Sequence, residues 1–205
     1  MMKKFDLTLG LIVLAVILGA LLIGWLDNDL YGPFSESGYV TACSAILLMS
    51  VAAYGWFLCL RSVNATGGSR RESHFWFLVM CAFVFLTLDE LMQLHEGFDF
   101  FVHAELDINE SAISDRLDDV IVMLFAIMGV WVIWYFREPL AQYRAQLRQV
   151  ALSLVLVFLM VTLDILTNRR DIVEDRSWFL GLKILEEVVK LTAGASLLVL
   201  VHRCW

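Results

Sequence analysis

The sequence predicts an all-α polytopic membrane protein, a bundle of six transmembrane helices forming a single domain over residues 1–205. Three observations predict it. Hydrophobic residues make up 60% of the chain, mean hydropathy is +0.75 and only two prolines occur, a balance too apolar for a soluble domain. Six stretches approach the roughly 20 apolar residues needed to cross a bilayer: about 6–26, 39–60, 75–94, 119–136, 149–167 and 178–201. Each must be helical, because lipid offers no partner to a backbone amide. Finally, an acidic string recurs. Thr87-Leu88-Asp89 returns as Thr162-Leu163-Asp164, and Glu96 and Asp171 each stand seven residues after the aspartate. An acidic pair then opens the next apolar run in each case, Asp118-Asp119 and Glu186-Glu187, so helices 3–4 and 5–6 read as a parallel pseudo-repeat.

Taken in order, the first span follows Lys3 and Lys4 like a signal peptide but ends at Gly24-Trp25-Leu26-Asp27 without a small-x-small cleavage pattern, which reads as an uncleaved anchor. Its Gly10, Ala15, Gly19, Ala20 and Gly24 predict a close-packing surface for a neighbouring helix. The connection 27–38 holds the turn pair Gly32-Pro33. The second span has no ionisable residue and reads as scaffold; a flexible basic link, 61–74, follows. The third span runs into Asp89, Glu90, His95 and Glu96. At 100° per residue Asp89 and Glu96 share a stripe, with Glu90 and His95 on either side. The acidic loop 97–117 begins with Phe98, Phe100 and Phe101 and suits an interfacial segment or a lid. Spans four to six then carry Asp119, Asp164, and Glu186 with Glu187.

Charge sets the orientation. Nine Lys and Arg residues fall on the side holding both termini and six on the other, which places the termini in the cytoplasm. Of the 22 acids only Asp6, Glu72 and Glu138 lie on the cytoplasmic side. The outer face is therefore strongly acidic, which concentrates cations and excludes nucleic acid as a partner. Cys43, Cys59, Cys81 and Cys204 show no C-x-x-C spacing and predict neither a disulfide framework nor a thiol redox motif.

Ionisable residues inside a membrane span are costly and mark a functional site by default. If the acidic helix tips converge, Asp89, Glu90, His95, Glu96, Asp119, Asp164, Glu186 and Glu187 are candidate ligands for a divalent metal. Carboxylates with one imidazole suit Ca, Mg, Mn or Fe better than structural zinc. Glu90 and His95 are then candidate catalytic proton carriers. Helix capping competes as an explanation for Asp118 and Asp119, and Lys183 and Lys190 stand three and four residues from the glutamate pair, where they could neutralise it within one helix. The chain has no H-x-x-x-H, H-E-x-x-H or G-x-S-x-G pattern.

Asp89-Glu90, followed by His95-Glu96 and by the late Glu186-Glu187 pair, resembles a family of small bacterial multipass membrane proteins with an L-D-E-x4-H-E signature and a terminal acidic helix. The likeness covers spans three to six. It implies residence in the bacterial inner membrane and an important acidic site, and no assigned activity. Family members place another acid after the late pair, where this chain has Lys190.

The functional expectation is an inner-membrane protein with a periplasm-facing carboxylate and histidine pocket, holding a divalent metal and acting on an amphiphilic or lipid-linked substrate. Two other classes compete with it. A cation or proton-coupled transporter needs polar groups through both membrane halves. A non-catalytic accessory subunit predicts instead that Glu186 and Glu187 contact Lys183 and Lys190.

Overall fold

The computed structural model describes residues 2–65, 69–94, 97–98, 101, 117–167 and 175–205, without the side chains of 2–3 and 117–122. Among them the chain is helical, with α1 (Met2–Leu26), α2 (Tyr39–Asn64), α3 (Arg70–Met92), α4 (Leu117–Tyr135), a short α5 (Arg137–Leu140), α6 (Leu147–Thr167) and α7 (Arg176–Cys204). Short 3-10 turns occupy Gly32–Phe34 and Ala141–Gln146.

Helix ends follow local chemistry. α1 stops where Asn28 adopts a left-handed conformation (φ 53°) and the Asp29 amide bonds back to the Gly24 carbonyl at 2.9 Å. Gly24 is required there, since a Cβ would sit 2.9 Å from the Leu30 Cα. α3 ends the same way at Gln93 (φ 52°), whose amide bonds to the Asp89 carbonyl at 2.7 Å. α7 begins earlier than its hydropathy suggests. Asp175 caps it by accepting from the amides of Ser177 and Trp178.

Among the described residues four helical stretches are long and apolar enough to cross a membrane: Lys4–Leu26, Gly32–Asn64, Arg70–Met92 and Arg137–Thr167. Outward-facing Leu7, Leu11, Leu14 and Leu18 on α1, and Ile127, Trp131 and Trp134 on α4, are exposed as a lipid-facing surface requires. The expected fourth span keeps only a shorter apolar helix among its described side chains, Met123–Tyr135. The expected sixth is long enough, at 29 residues, but carries Lys183, Glu186, Glu187 and Lys190 along its length. Charge lowers its hydropathy, and the fold compensates by burying it.

α7 lies against α2, α6 and α1, while α3 lies along α2. α2 and α3 approach closely at Gly55 of α2, where a Cβ would meet the Met80 amide nitrogen at 3.2 Å and the Trp76 carbonyl at 3.4 Å. The small residues of α1 do not act as one surface. Gly19, Ala20 and Gly24 pack inward, but Ala15 is exposed and Gly10 has nothing near its Cβ position.

The expected pseudo-repeat is not confirmed: what its two halves share is a hydroxyl bond common to helices, which Ser62 and Thr192 also make. Thr87 and Thr162 each donate a hydroxyl to the carbonyl of a phenylalanine four residues back, Phe83 and Phe158, at 2.7 and 2.8 Å. Their helices take different neighbours, however: α3 packs on α2 and α6 on α7.

Candidate functional site

Helix tips meet at one end of the bundle. There α7 presents the palindrome Lys183-x-x-Glu186-Glu187-x-x-Lys190, whose four side chains fall within about 100° of one another at the standard helical turn. They point inward. Glu186 and Glu187 are 1% and 0% exposed and Lys183 is 3% exposed, so every polar atom must find a protein partner.

Lys183 supplies the first set of contacts. Its ammonium lies 2.9 Å from Glu186 Oε1, three residues along the helix, and 3.0 Å from Glu36 Oε1, in the loop before α2. The second oxygen of Glu186 accepts from the Thr167 hydroxyl of α6 at 2.7 Å. The second oxygen of Glu36 accepts from Gln93 Nε2, just past α3, at 2.6 Å. One ammonium thus joins α7 to the loop before α2, with α6 and the end of α3 attached through the carboxylates.

Lys190 repeats the arrangement one layer deeper. Its Nζ lies 2.7 Å from Glu187 Oε1 and 3.4 Å from Glu90 Oε1 of α3. Glu187 Oε2 faces the Thr41 hydroxyl of α2 at 3.2 Å, and that hydroxyl also lies 3.0 Å from the Ser35 carbonyl. Both oxygens of Glu187 are therefore engaged. Glu90 is held less completely: its buried Oε1 has the ion pair but no well-directed hydrogen bond.

The candidate ligands divide into three groups. Glu186 and Glu187 occupy the centre and face ammonium groups, the arrangement that competed with metal ligation in the sequence. An ammonium within 3 Å of a carboxylate adds to the repulsion that a second cation would meet there. Glu90 joins them through Lys190, and Asp89, one residue earlier, is buried. Asp164 is half-buried near the end of α6, three residues before the Thr167 that contacts Glu186; Asp89 and Asp164 each make interactions of their own. His95 and Glu96 lie outside the described residues, as do His103 and the side chain of Asp119. Among the described residues no group of three or more His, Cys, Asp or Glu side chains is placed to hold a metal ion.

Four participants were not singled out by sequence. Glu36 lies in a loop that reads as a plain turn, Gln93 ends a helix, and Thr41 and Thr167 look like ordinary hydroxyls in apolar runs. The signal available was weak: a hydroxyl in a span of otherwise apolar residues finds a partner inside the protein when buried.

The opposite end is also polar. Arg203 lies 2.6 Å from Asp6 and 3.2 Å from the Gln149 side-chain oxygen; Gln149 in turn donates to the Ser196 hydroxyl at 2.9 Å, with Ser153 at 2.8 Å from Ser196. Arg61 donates to the carbonyls of Cys204 and Trp205 and to Tyr143, whose hydroxyl donates to Glu72 at 2.7 Å. Between the two polar layers α7 buries Leu191, Ala193, Gly194 and Ala195.

Residues 7–204 match the family described as Domain of unknown function (DUF8692), and the chain belongs to that family. Comparison with curated proteins and with solved structures returns no match.

Proposed function

We propose that this chain is a non-catalytic membrane protein, an accessory or structural unit, whose acid and lysine network fastens α7 inside the bundle. One observation carries it: Lys183 and Lys190 each bridge a glutamate of α7 to a carboxylate of a different element, Glu36 and Glu90. A helix with four ionisable groups enters a bilayer at high cost unless they are paired. In this bundle the pairing is made by neighbours that α7 meets only when correctly seated.

The proposed setting is the inner membrane, crossed six times with both termini cytoplasmic, so that the network faces outward. The alternation of helix ends supports this. The C-terminal ends of α3 and α6 share one layer with the N-terminal parts of α2 and α7, while Asp6 and Arg203 meet at the other. The apolar stretch Leu191, Ala193, Gly194 and Ala195 between the two polar layers weighs against a transport path. Metal-assisted chemistry, in turn, loses Glu186 and Glu187 to their lysines.

The test is a neutral network: Lys183→Met, Glu186→Gln, Glu187→Gln and Lys190→Met together. We expect this variant to insert, keep its helix content, and leave the host's membrane protein complement unchanged when it replaces the parent. A folded neutral variant that fails to replace the parent would assign the network a chemical role and overturn the proposal.

A further inference from the structure

Far from the acid and lysine network, the C-terminal part of α2 and the first turns of α3 border an open cavity of about 430 Å³. Its lining is two-faced. Arg70 and His74, one turn apart on α3, stand beside the hydroxyls of Ser62 and Ser73, while Cys59 and Phe77 form an apolar wall. The volume falls in the range of small-molecule sites.

The basic groups at this end have different fates. Arg61 is taken up by the chain's last carbonyls and Tyr143, Arg71 by Glu138, and Arg203 by Asp6; Arg137 lies over the Trp134 ring. The side chains of Arg70 and His74 find no ion-pair or hydrogen-bond partner among the described residues. Ser62 and Ser73 direct their protons to backbone carbonyls, those of Leu58 and Arg70, and the Glu72 carboxylate beside Ser62 is taken up by Tyr143, which leaves the rim to the two bases. Arg70 opens α3, a stretch long and apolar enough to cross a membrane, so in a bilayer the cavity lies at headgroup depth. A guanidinium and an imidazole N–H beside an apolar wall match a phosphate ester attached to an acyl glycerol.

We infer that this cavity is a binding site for the headgroup of an anionic phospholipid, with Arg70 and His74 holding the phosphate and Phe77 and Val63 lying against the start of an acyl chain. The site rests on the membrane placement of α2 and α3 and is independent of the network at the other end.

The full chain, purified in a mild detergent and stripped of lipid, tests this by native mass spectrometry with added phosphatidylglycerol, phosphatidylcholine or inorganic phosphate. We expect one phosphatidylglycerol to be retained under conditions that remove phosphatidylcholine. Arg70→Gln with His74→Gln should weaken retention roughly fivefold or more, the scale of one basic side chain at an anionic lipid surface. Arg71→Gln should leave it unchanged, since Arg71 is already paired. Val63→Trp, which fills the cavity and keeps both bases, should abolish it. Undiminished retention in the double variant, or retention that survives Val63→Trp, with native helix content and elution, overturns the site. Displacement of the lipid by millimolar inorganic phosphate overturns the lipid as its occupant.

Discussion

Lys183 and Glu36 stand 147 positions apart in the chain and meet at 3.0 Å. Their contact joins the loop before the second helix to the last one, and the same ammonium also holds Glu186.

Removing that ammonium should be costly. Lys183→Met leaves the fully buried Glu186 without its cation, and breaking a buried pair from one side typically costs about 3–5 kcal/mol. Adding Glu186→Gln should return much of the loss, because an amide can still accept from Thr167 without needing a charge partner. Thermal unfolding of the single and double variants in detergent checks this; a single variant as stable as the parent would show that the pair does not hold α7.

Glu90 and Glu187 should behave oppositely although both touch Lys190. Glu187 is buried with both oxygens engaged, whereas Glu90 is the farther partner and one of its oxygens lacks a directed hydrogen bond. Two carboxylates share one ammonium, so Glu90→Gln reduces an excess of negative charge and should leave the unfolding midpoint unchanged or higher. Glu187→Gln should lower it. The two midpoints, measured side by side, decide the matter.

Chelation separates the structural reading from the metal one. Prolonged dialysis against EDTA should leave the unfolding midpoint and helix content unaltered, in the parent and in an Asp89→Asn, Glu90→Gln double variant alike. Elemental analysis before and after dialysis provides the check: a stoichiometric divalent ion whose loss lowers the midpoint in the parent alone would return His95, Glu96 and their neighbours to the role of ligands.

Packing between α2 and α3 turns on Gly55. A leucine there must push against the Met80 backbone and the Trp76 carbonyl, so Gly55→Leu should destabilise by about 1–3 kcal/mol, as overpacking generally does. Gly10→Leu, whose side chain would meet no neighbouring atom near its Cβ, should be close to neutral. Equal effects of the two would remove the close α2 and α3 contact as a feature of the fold.

The amino-acid sequence by itself determined that this chain is helical and apolar, and that its last helix carries acids and lysines spaced to pair within it. Those are local properties, set by hydropathy over about 20 residues and by the rise and turn of one helix. Tertiary structure decided everything that depends on which helices touch. It set Glu36 on Lys183, drew Thr41 and Thr167 to the two glutamates, and paired α3 with α2 although its sequence echo in α6 lies on α7. The physical reason is that a buried charge is satisfied by whatever group the packing brings within 3 Å, and a group 147 positions away leaves no mark in the local pattern.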